Sequence, residues 1–492
     1  MKIAILCDLH YSGAERSAQA FFLSKAIAQM KTDRIHTVIT LGDVSAYGEE
    51  TALHHFQNQL SEFDHHILLG NSDVRDPTTT SLWLSCAKPC KLSFENRTFL
   101  GIHSPYPKLS EEDRAQISAL RDGDILAMHH TIDALEPESK KFLLNFVQYR
   151  KLTVFTAHHH RFIDQIIGKS RVIIFPALDP DKAIGQFPSI TYVNITEDTI
   201  HLEQKQLSLP SSIMHDIQKM FGISCVNNKA DITYALENNL YAAELRCNGS
   251  GWSPEIDLLP LLEKWRNKTN GYLSVHMPNL RWKDNKINGL EQWYQAAEFA
   301  KTIGVNGLTV HPPYVSRYDM QKDSEIWNQF LKIYVDTFSA FPAKVAIGIE
   351  NLHLPPDKPE DENSKFGCTP NEINTWIDCI NKKLNSTDRV GHTLDVGHAR
   401  NNGGIAQRFP ISRWYELMGN RIRAYHIHQV TREGSQMQNH QPIKDWFGPM
   451  ISYASFFYCW EKGIIQHKPI FLEVQGHEHY HTSLEAFQQQ FP

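Results

Sequence analysis

KIAILCDLH, residues 2–10, is an apolar, β-branched run that stops abruptly on Asp8 and His10, and HTVITLGD (36–43) repeats the pattern with Asp43 at its end. Near-continuous apolar runs of this length, without polar alternation, read as buried strands of a parallel sheet. Between them RSAQAFFLSKAIAQM (16–30) has the spacing of an amphipathic helix. HHILLGN (65–71), DGDILAMHH (122–130) and LTVFTAHHH (152–160) continue the series, each ending in Asn or His. In α/β architectures the loops leaving the strand ends converge on one crevice. The expectation for the first two hundred residues is an α/β fold with these polar ends gathered at one site.

A second alternation runs from about residue 215 to the C-terminus. Its strand candidates are FGISCVN (221–227), YAAELRC (241–247), YLSVHMPN (272–279), NGLTVHPP (306–313), VAIGIEN (345–351), RVGHTLDVGH (389–398), IRAYHIHQV (422–430) and PIFLEVQG (469–476). Helix-length segments such as LEQWYQAAEFAKTIG (290–304) and NEINTWIDCINKKL (371–384) separate them. Eight βα units predict a (β/α)8 TIM barrel, whose active site lies at the C-terminal strand ends. The Ser/Pro cluster in HLEQKQLSLPSSIMHDIQ (201–218) marks a linker near residues 205 to 215, dividing the chain into 1–207 and 208–492.

A chain of 492 residues exceeds one ordinary core, in keeping with two domains. With 41% hydrophobic and 21% charged residues it has the composition of a globular enzyme. The net charge of −6 gives no global electrostatic footprint for sequence-blind nucleic-acid binding. No apolar run reaches membrane-spanning length and MKIAILCDLH is not a secretory leader, so the expected location is cytoplasmic, with no membrane partner. The eight cysteines are scattered and read as reduced thiols, Cys86 and Cys90 included. Histidine, at 26, is the anomaly. Neutral imidazole is the commonest metal ligand, so placement decides its meaning.

In chain order the first constellation is Asp8, His10, Asp43, Asn71, His129, His158 and His160. Carboxylates, imidazoles and one neutral amide from five strand ends can hold two divalent cations, with Asp43 between them, and such a pair activates water against a phosphoryl group. Asp8 with His10, and His158 with His160, are spaced two apart and so face the same way from a strand.

This order resembles the calcineurin-like metallophosphoesterases, whose pattern is DxH, GD, GNH followed by an acidic residue, a later His, and GHxH; the likeness covers residues 1 to 200. It implies an α/β metallophosphoesterase sandwich, with one metal on Asp8, His10, Asp43 and His160 and the other on Asp43, Asn71, His129 and His158. Mn, Fe or Zn are the expected ions, and Asp43, Asn71 and His129 the catalytic set. Two departures stand out. The family's GNH reads Gly70-Asn71-Ser72-Asp73 here, removing the histidine that assists the leaving group and inclining the reading to a phosphodiesterase. Ala157 replaces the glycine of GHxH without removing a ligand. His103 (GIHSP) competes with His129, which keeps the family order.

The second constellation is His276, His311, Glu350, Asp395, His398, His426, His440 and Glu473. Its order resembles the xylose-isomerase-like barrels, closest to their endonuclease IV branch, over residues 215 to 480. That resemblance implies one metal on His276, His311 and Glu350 and a second on Glu350, Asp395, His426 and Glu473. A third would use His398 and His440, but the aspartate expected two residues before His440 is Gln438. One to three ions of Zn, Mn or Fe are therefore expected, with Glu350 or Glu473 as a general base. His428 reads equally as a substrate contact or a packed residue.

Three functions follow as expectations. The first is a phosphodiesterase coupled to a barrel that isomerises, epimerises or hydrolyses a sugar or sugar phosphate, its partner a small-molecule phosphodiester or sugar phosphate. The second is nucleic-acid processing, disfavoured by charge and by the lack of Lys/Arg runs with interleaved aromatics. The third is an active phosphoesterase carrying a binding-only barrel.

Overall fold

The computed structural model describes residues 2–87, 90–94, 96–247, 252–355, 358–434 and 436–492. The chain forms two compact units, Met1–Ser208 with Ser452–Ala454, and Leu209–Ile451 with Ser455–Pro492. The connection is tighter than the linker expected over 205 to 215. A strand runs to Gln206 and a helix begins at Ser211, so only residues 207–210 are irregular.

In the first unit the strands are β1 (Lys2–Leu6), β2 (Thr37–Leu41), β3 (Asp64–Leu68), β4 (Cys90–Phe94), β5 (Arg97–Gly101), β6 (Ile125–Ala127), β7 (Thr153–Thr156), β8 (Ile163–Ile167), β9 (Ser170–Ile174), β10 (Ser189–Ile195) and β11 (Ile200–Gln206). They make two sheets, ordered β11-β10-β1-β2-β3 and β4-β5-β6-β7-β9-β8. Ile3, Ile5, Cys7, Ile39 and Leu41 from the first sheet share one buried cluster with Phe99, Ile125, Phe155 and Ile173 from the second. A second cluster joins Leu100, Leu126 and Val154 to Leu143 and Val147 of the helix Pro137–Tyr149. β2, TVITL, is covered on both faces and buried throughout, Thr37 and Thr40 included. The helix Ala18–Thr32 starts where the Ser17 hydroxyl accepts the Ala20 amide at 3.1 Å.

In the second unit the strands are β12 (Phe221–Ser224), β13 (Ala242–Arg246), β14 (Tyr272–His276), β15 (Arg281–Lys283), β16 (Lys286–Asn288), β17 (Gly307–Val310), β18 (Ala346–Glu350), β19 (Val390–Asp395), β20 (Ile422–Ile427), β21 (Gln429–Glu433), β22 (Gln436–Gln441) and β23 (Ile470–Leu472). Eight of them close a parallel barrel in the order β12-β13-β14-β17-β18-β19-β20-β23, and these are the eight apolar runs of the sequence. β15–β16 and β21–β22 are antiparallel hairpins outside the barrel. Among the described residues there is no disulfide, and no helix is long and apolar enough to cross a membrane.

Candidate metal centres

The loops after β1, β2, β3, β6 and β7 bring all seven first-unit candidates together. Ligand atoms of Asp8, His10 and His160 lie within 4.8 Å of one another, as do those of Asp43, His129 and His158. The groups interlock. His10 Nε2 is 3.4 Å from His160 Nε2 and 3.8 Å from Asp43 Oδ2, while His129 Nε2 is 3.5 Å from Asp43 Oδ2. His129 Nε2 also lies 3.1 Å from both His158 Nδ1 and the Asn71 side-chain oxygen. Turned over, the Asn71 amide donates to His129 Nε2 and His158 Nδ1 at 3.1 and 3.2 Å, whereas the buried Asp8 Oδ1 has no hydrogen-bond partner. Lone pairs crowded in this way are satisfied by cations, so the donor set fits two divalent ions.

Their neighbours hold the ligands in place. His129 Nδ1 sits 2.9 Å from the Leu41 carbonyl, the geometry in which Nδ1–H donates to backbone and leaves Nε2 as a lone pair facing the site. Ser72 donates to Asp43 through its amide (2.7 Å to Oδ1) and its hydroxyl (3.0 Å to Oδ2). Behind it Asp73 accepts the amides of Asp43, Gly70 and Ser45 at 3.0, 3.0 and 2.8 Å. Gly70 is required by space, since a Cβ there would stand 2.3 Å from Asp43 Oδ1.

Asp8, His10, Asp43, His158 and His160 all have positive φ, between 48° and 69°. Residues with a Cβ rarely adopt that conformation, at a cost of roughly 1–3 kcal/mol each, and it persists where the surroundings impose it. Here it turns consecutive side chains inward at the strand exits.

Burial keeps the imidazoles neutral. His158 is pushed down to about 4 by burial and then by His129, and His10 and His160 fall well below the usual range through burial and then the Lys182 charge. Burial and the nearby Asp43 carboxylate push Asp8 well up, a repulsion that cations relieve. Lys182 carries no signal in the sequence, being remote from every strand end. Its loop reaches the centre because Asp179 N bonds Asp8 O at 2.9 Å and Ile184 N bonds His160 O at 3.2 Å. His103 lies apart, between the Leu69 amide and the Ala87 carbonyl.

In the barrel His276, Glu350 and Asp395 are the last residues of β14, β18 and β19, His311 and Glu473 follow β17 and β23, and His426 is the penultimate residue of β20. Glu350 Oε2 is 3.0 Å from His276 Nε2 and 3.3 Å from His311 Nε2. Its other oxygen is 3.3 Å from His426 Nδ1, which is 3.1 Å from Glu473 Oε2. Two ligand groups therefore share Glu350: His276, His311 and Glu350, and Glu350, Asp395, His426 and Glu473. Glu350 Oε1, Asp395 Oδ2, Glu473 Oε2 and His311 Nε2 are buried without hydrogen-bond partners, so this donor set also fits cations.

The third set differs from expectation. Gln438 donates to Glu433 at 3.0 Å and stays outside, while His428 joins His440 and Glu473 in a third ligand group. The hairpin folds the His440 amide onto His428 Nδ1 at 3.0 Å, and the two ring centroids lie 4.6 Å apart. His398, stacked on His353, has its Nδ1 3.3 Å from Asp395 Oδ2 and lies farther from His440, at 5.8 Å between rings.

Glu244 was not singled out in the sequence. It is fully buried on β13, 2.8 Å from His426 Nε2, and accepts the hydroxyls of Thr309 and Ser274 at 2.6 and 3.1 Å. A carboxylate inside the apolar run YAAELRC was its signal. Glu244 and then Glu350 hold His426 well above the ordinary imidazole range against the effect of burial.

Residues 247–488 match the model of the xylose isomerase-like TIM barrel family. No curated protein matches the chain. Among solved structures, the chain is similar to a dimetal phosphatase from Danio rerio (13% identity over 42% of this chain and 96% of that one, TM-score 0.34). It is also similar to a D-tagatose 3-epimerase-like protein (20%, 55% and 96%, TM-score 0.40) and to endonuclease IV from Thermus thermophilus (14%, 55% and 98%, TM-score 0.39). The second unit thus matches a xylose isomerase-like TIM barrel over residues 247–488, and the first is an α/β unit of two sheets whose strand exits gather two candidate metal-ligand groups.

Proposed function

We propose that the first unit is a dinuclear metal-dependent phosphodiesterase and that the barrel is a metal-dependent enzyme acting on a sugar or sugar phosphate. The observation that carries the first reading is the convergence of two interlocked ligand groups on Asp43. Asp8, His10, Asp43 and His160 would hold one ion and Asp43, Asn71, His129 and His158 the other, with Mn, Fe or Zn the expected metals. Such ions supply Lewis acidity toward a phosphoryl oxygen and acidify water.

The protein's own groups do the remaining work. Ser72 orients Asp43 through two donors, and its hydroxyl is thereby committed away from a leaving group. With no histidine at that position, this strand end offers no acid for a poor leaving group, which favours diesters and activated esters over ordinary monoesters. Lys182 lies near enough to Asp8 and Asp43 for its charge to act on both carboxylates, while burial lowers its own pKa.

In the barrel His276, His311, Glu350, Asp395, His426 and Glu473 would hold up to two ions, and His428 with His440 a third. Arg246 donates to Glu473 Oε1 at 2.6 Å and fixes its orientation. Glu350 contacts His276, His311 and His426, and Glu473 contacts His426, His440 and Arg246, so either carboxylate is a candidate to take a substrate proton.

The test is a turnover screen with Mn2+, Fe2+ or Zn2+ against bis(p-nitrophenyl) phosphate, p-nitrophenyl phosphate, sugars and sugar phosphates. Diester hydrolysis exceeding monoester hydrolysis, abolished by Asp43→Ala, is expected. Absence of turnover with every ion overturns the reading.

A further inference from the structure

We propose that the mouth of the barrel carries an anion clamp, built from Arg281, Tyr314 and Lys365, that binds the phosphoryl group of a phosphorylated small molecule. The proposal rests on the reading of the barrel as a metal-dependent enzyme and names its substrate class.

One aromatic ring gathers two cations. The Arg281 guanidinium lies 5.2 Å and the Lys365 ammonium 5.3 Å from the centroid of the Tyr314 ring. The same ring packs edge-on against His311, a candidate metal ligand, at 5.6 Å between centroids. The clamp therefore adjoins the cluster around Glu350 without being part of it.

Backbone bonds build the arrangement from three segments. Tyr314 N bonds Leu280 O at 2.9 Å and Trp282 N bonds Tyr314 O at 3.3 Å, fixing the β15–β16 hairpin against residue 314. Phe366 N bonds Val315 O at 3.0 Å, and Ser316 bridges to Lys365, fixing the third segment.

Arg281, Lys283, Lys286 and Lys365 are exposed, and none makes an ion pair among the described residues. Arg317 is paired with Glu360 and Glu372 and Arg408 with Glu360, while the exposed Asp361 and Glu362, on the segment that carries Lys365, pair with none of the four. The hairpin's own carboxylate, Asp284, occupies its turn at positive φ and likewise forms no ion pair there. Two cationic donors around one ring, unpaired among the described residues and beside a candidate metal-ligand cluster, match a phosphoryl group whose carbon skeleton reaches that cluster. Four cations on one short hairpin and its neighbour do not make the long basic track that a nucleic-acid backbone needs.

The experiment titrates the Mn2+-loaded full-length protein with D-ribose 5-phosphate and with D-ribose by calorimetry. An Asp43→Asn background in every sample suppresses phosphate binding by the first unit. Ribose 5-phosphate is expected to bind more tightly than ribose, and Arg281→Gln with Lys365→Gln is expected to remove about tenfold or more of that affinity. Binding of ribose, the barrel's metal content and the thermal midpoint should be unchanged, because both substituted side chains are exposed. Equal affinity of the double variant for ribose 5-phosphate overturns the clamp, as does a labelled DNA duplex whose binding is the one the variant loses. If the barrel retains no metal while the variant still loses ribose 5-phosphate, the clamp stands and the metal-enzyme reading of the barrel falls.

Discussion

Ser72 bonds both oxygens of Asp43, the amide to one at 2.7 Å and the hydroxyl to the other at 3.0 Å. A residue at the position where a leaving-group acid would stand is thus used to aim the carboxylate shared by two ligand groups. Ser72→Ala keeps the amide bond and loses the hydroxyl bond to a charged acceptor, about 1.5–3 kcal/mol. Apparent metal affinity of the first unit should weaken by about tenfold or more in a metal-buffered titration, with hydrolysis recovering at high metal.

Asp43→Asn tests the shared carboxylate. Burial and then the Asp43 charge push Asp8 up, whereas Asp43 itself is held below the usual carboxylate range, against burial, by His129 and the Ser72 amide. A carboxyl depressed in the fold contributes stability above its unfolded pKa, so in chelator at neutral pH the variant should melt below the wild-type midpoint, and hydrolysis should be abolished with any metal. Calorimetry with and without chelator reads both effects; an unchanged midpoint in chelator contradicts the first.

Glu244→Gln removes the charge behind His426. A supporting carboxylate of this kind typically accounts for 10–100-fold in metal affinity. After dialysis the variant should lose barrel ions and keep those of the first unit, by elemental analysis beside Asp43→Ala, which should show the reverse.

Gly397→Ala tests the third ligand group. A Cβ at residue 397 would stand 1.9 Å from Cε1 of His428, so the ring must move. The variant should bind one ion fewer than wild type. An unchanged count means that His428 holds no ion.

Proton linkage gives a pH test at a histidine that is not itself a candidate ligand. His392 is fully buried against Trp414, its Nδ1 2.7 Å from the Ile349 carbonyl, and burial pushes it down to about 4. Because the unfolded imidazole titrates near 6.5, the unfolded chain binds the extra proton first as pH falls. Stability in chelator should therefore decline from about pH 6.5 to 4 and level off below. His392→Gln should flatten that decline in melting curves taken across the window.

Much of this was legible in the sequence because buried parallel strands announce themselves. Runs such as HTVITLGD and VAIGIEN are apolar until the residue that leaves the sheet, so strand, boundary and ligand coincide. The order of the eight barrel strands followed directly. What escaped depended on contacts between distant residues. His428 and His440 meet only where a hairpin folds the His440 amide onto the His428 ring, and Lys182 reaches the centre through a loop stitched to Asp8 and His160. Glu244 lies mid-strand, where an apolar run hides a single carboxylate. Gln438 alone suggested a missing donor, whereas the hairpin supplies another in its place.

The left-handed turns at Asp8, His10, Asp43, His158 and His160 make ion supply a determinant of how long the protein lasts. Without cations only hydrogen bonds such as those from Ser72, Asp179 and Ile184 offset the conformational cost of those five positions, and the loops bearing them should be the first to open, ahead of the sheets beneath. Ions that bind only the closed arrangement draw that opening back in proportion to their free concentration. Protease resistance of the first unit would then report metal availability, a readout independent of any substrate.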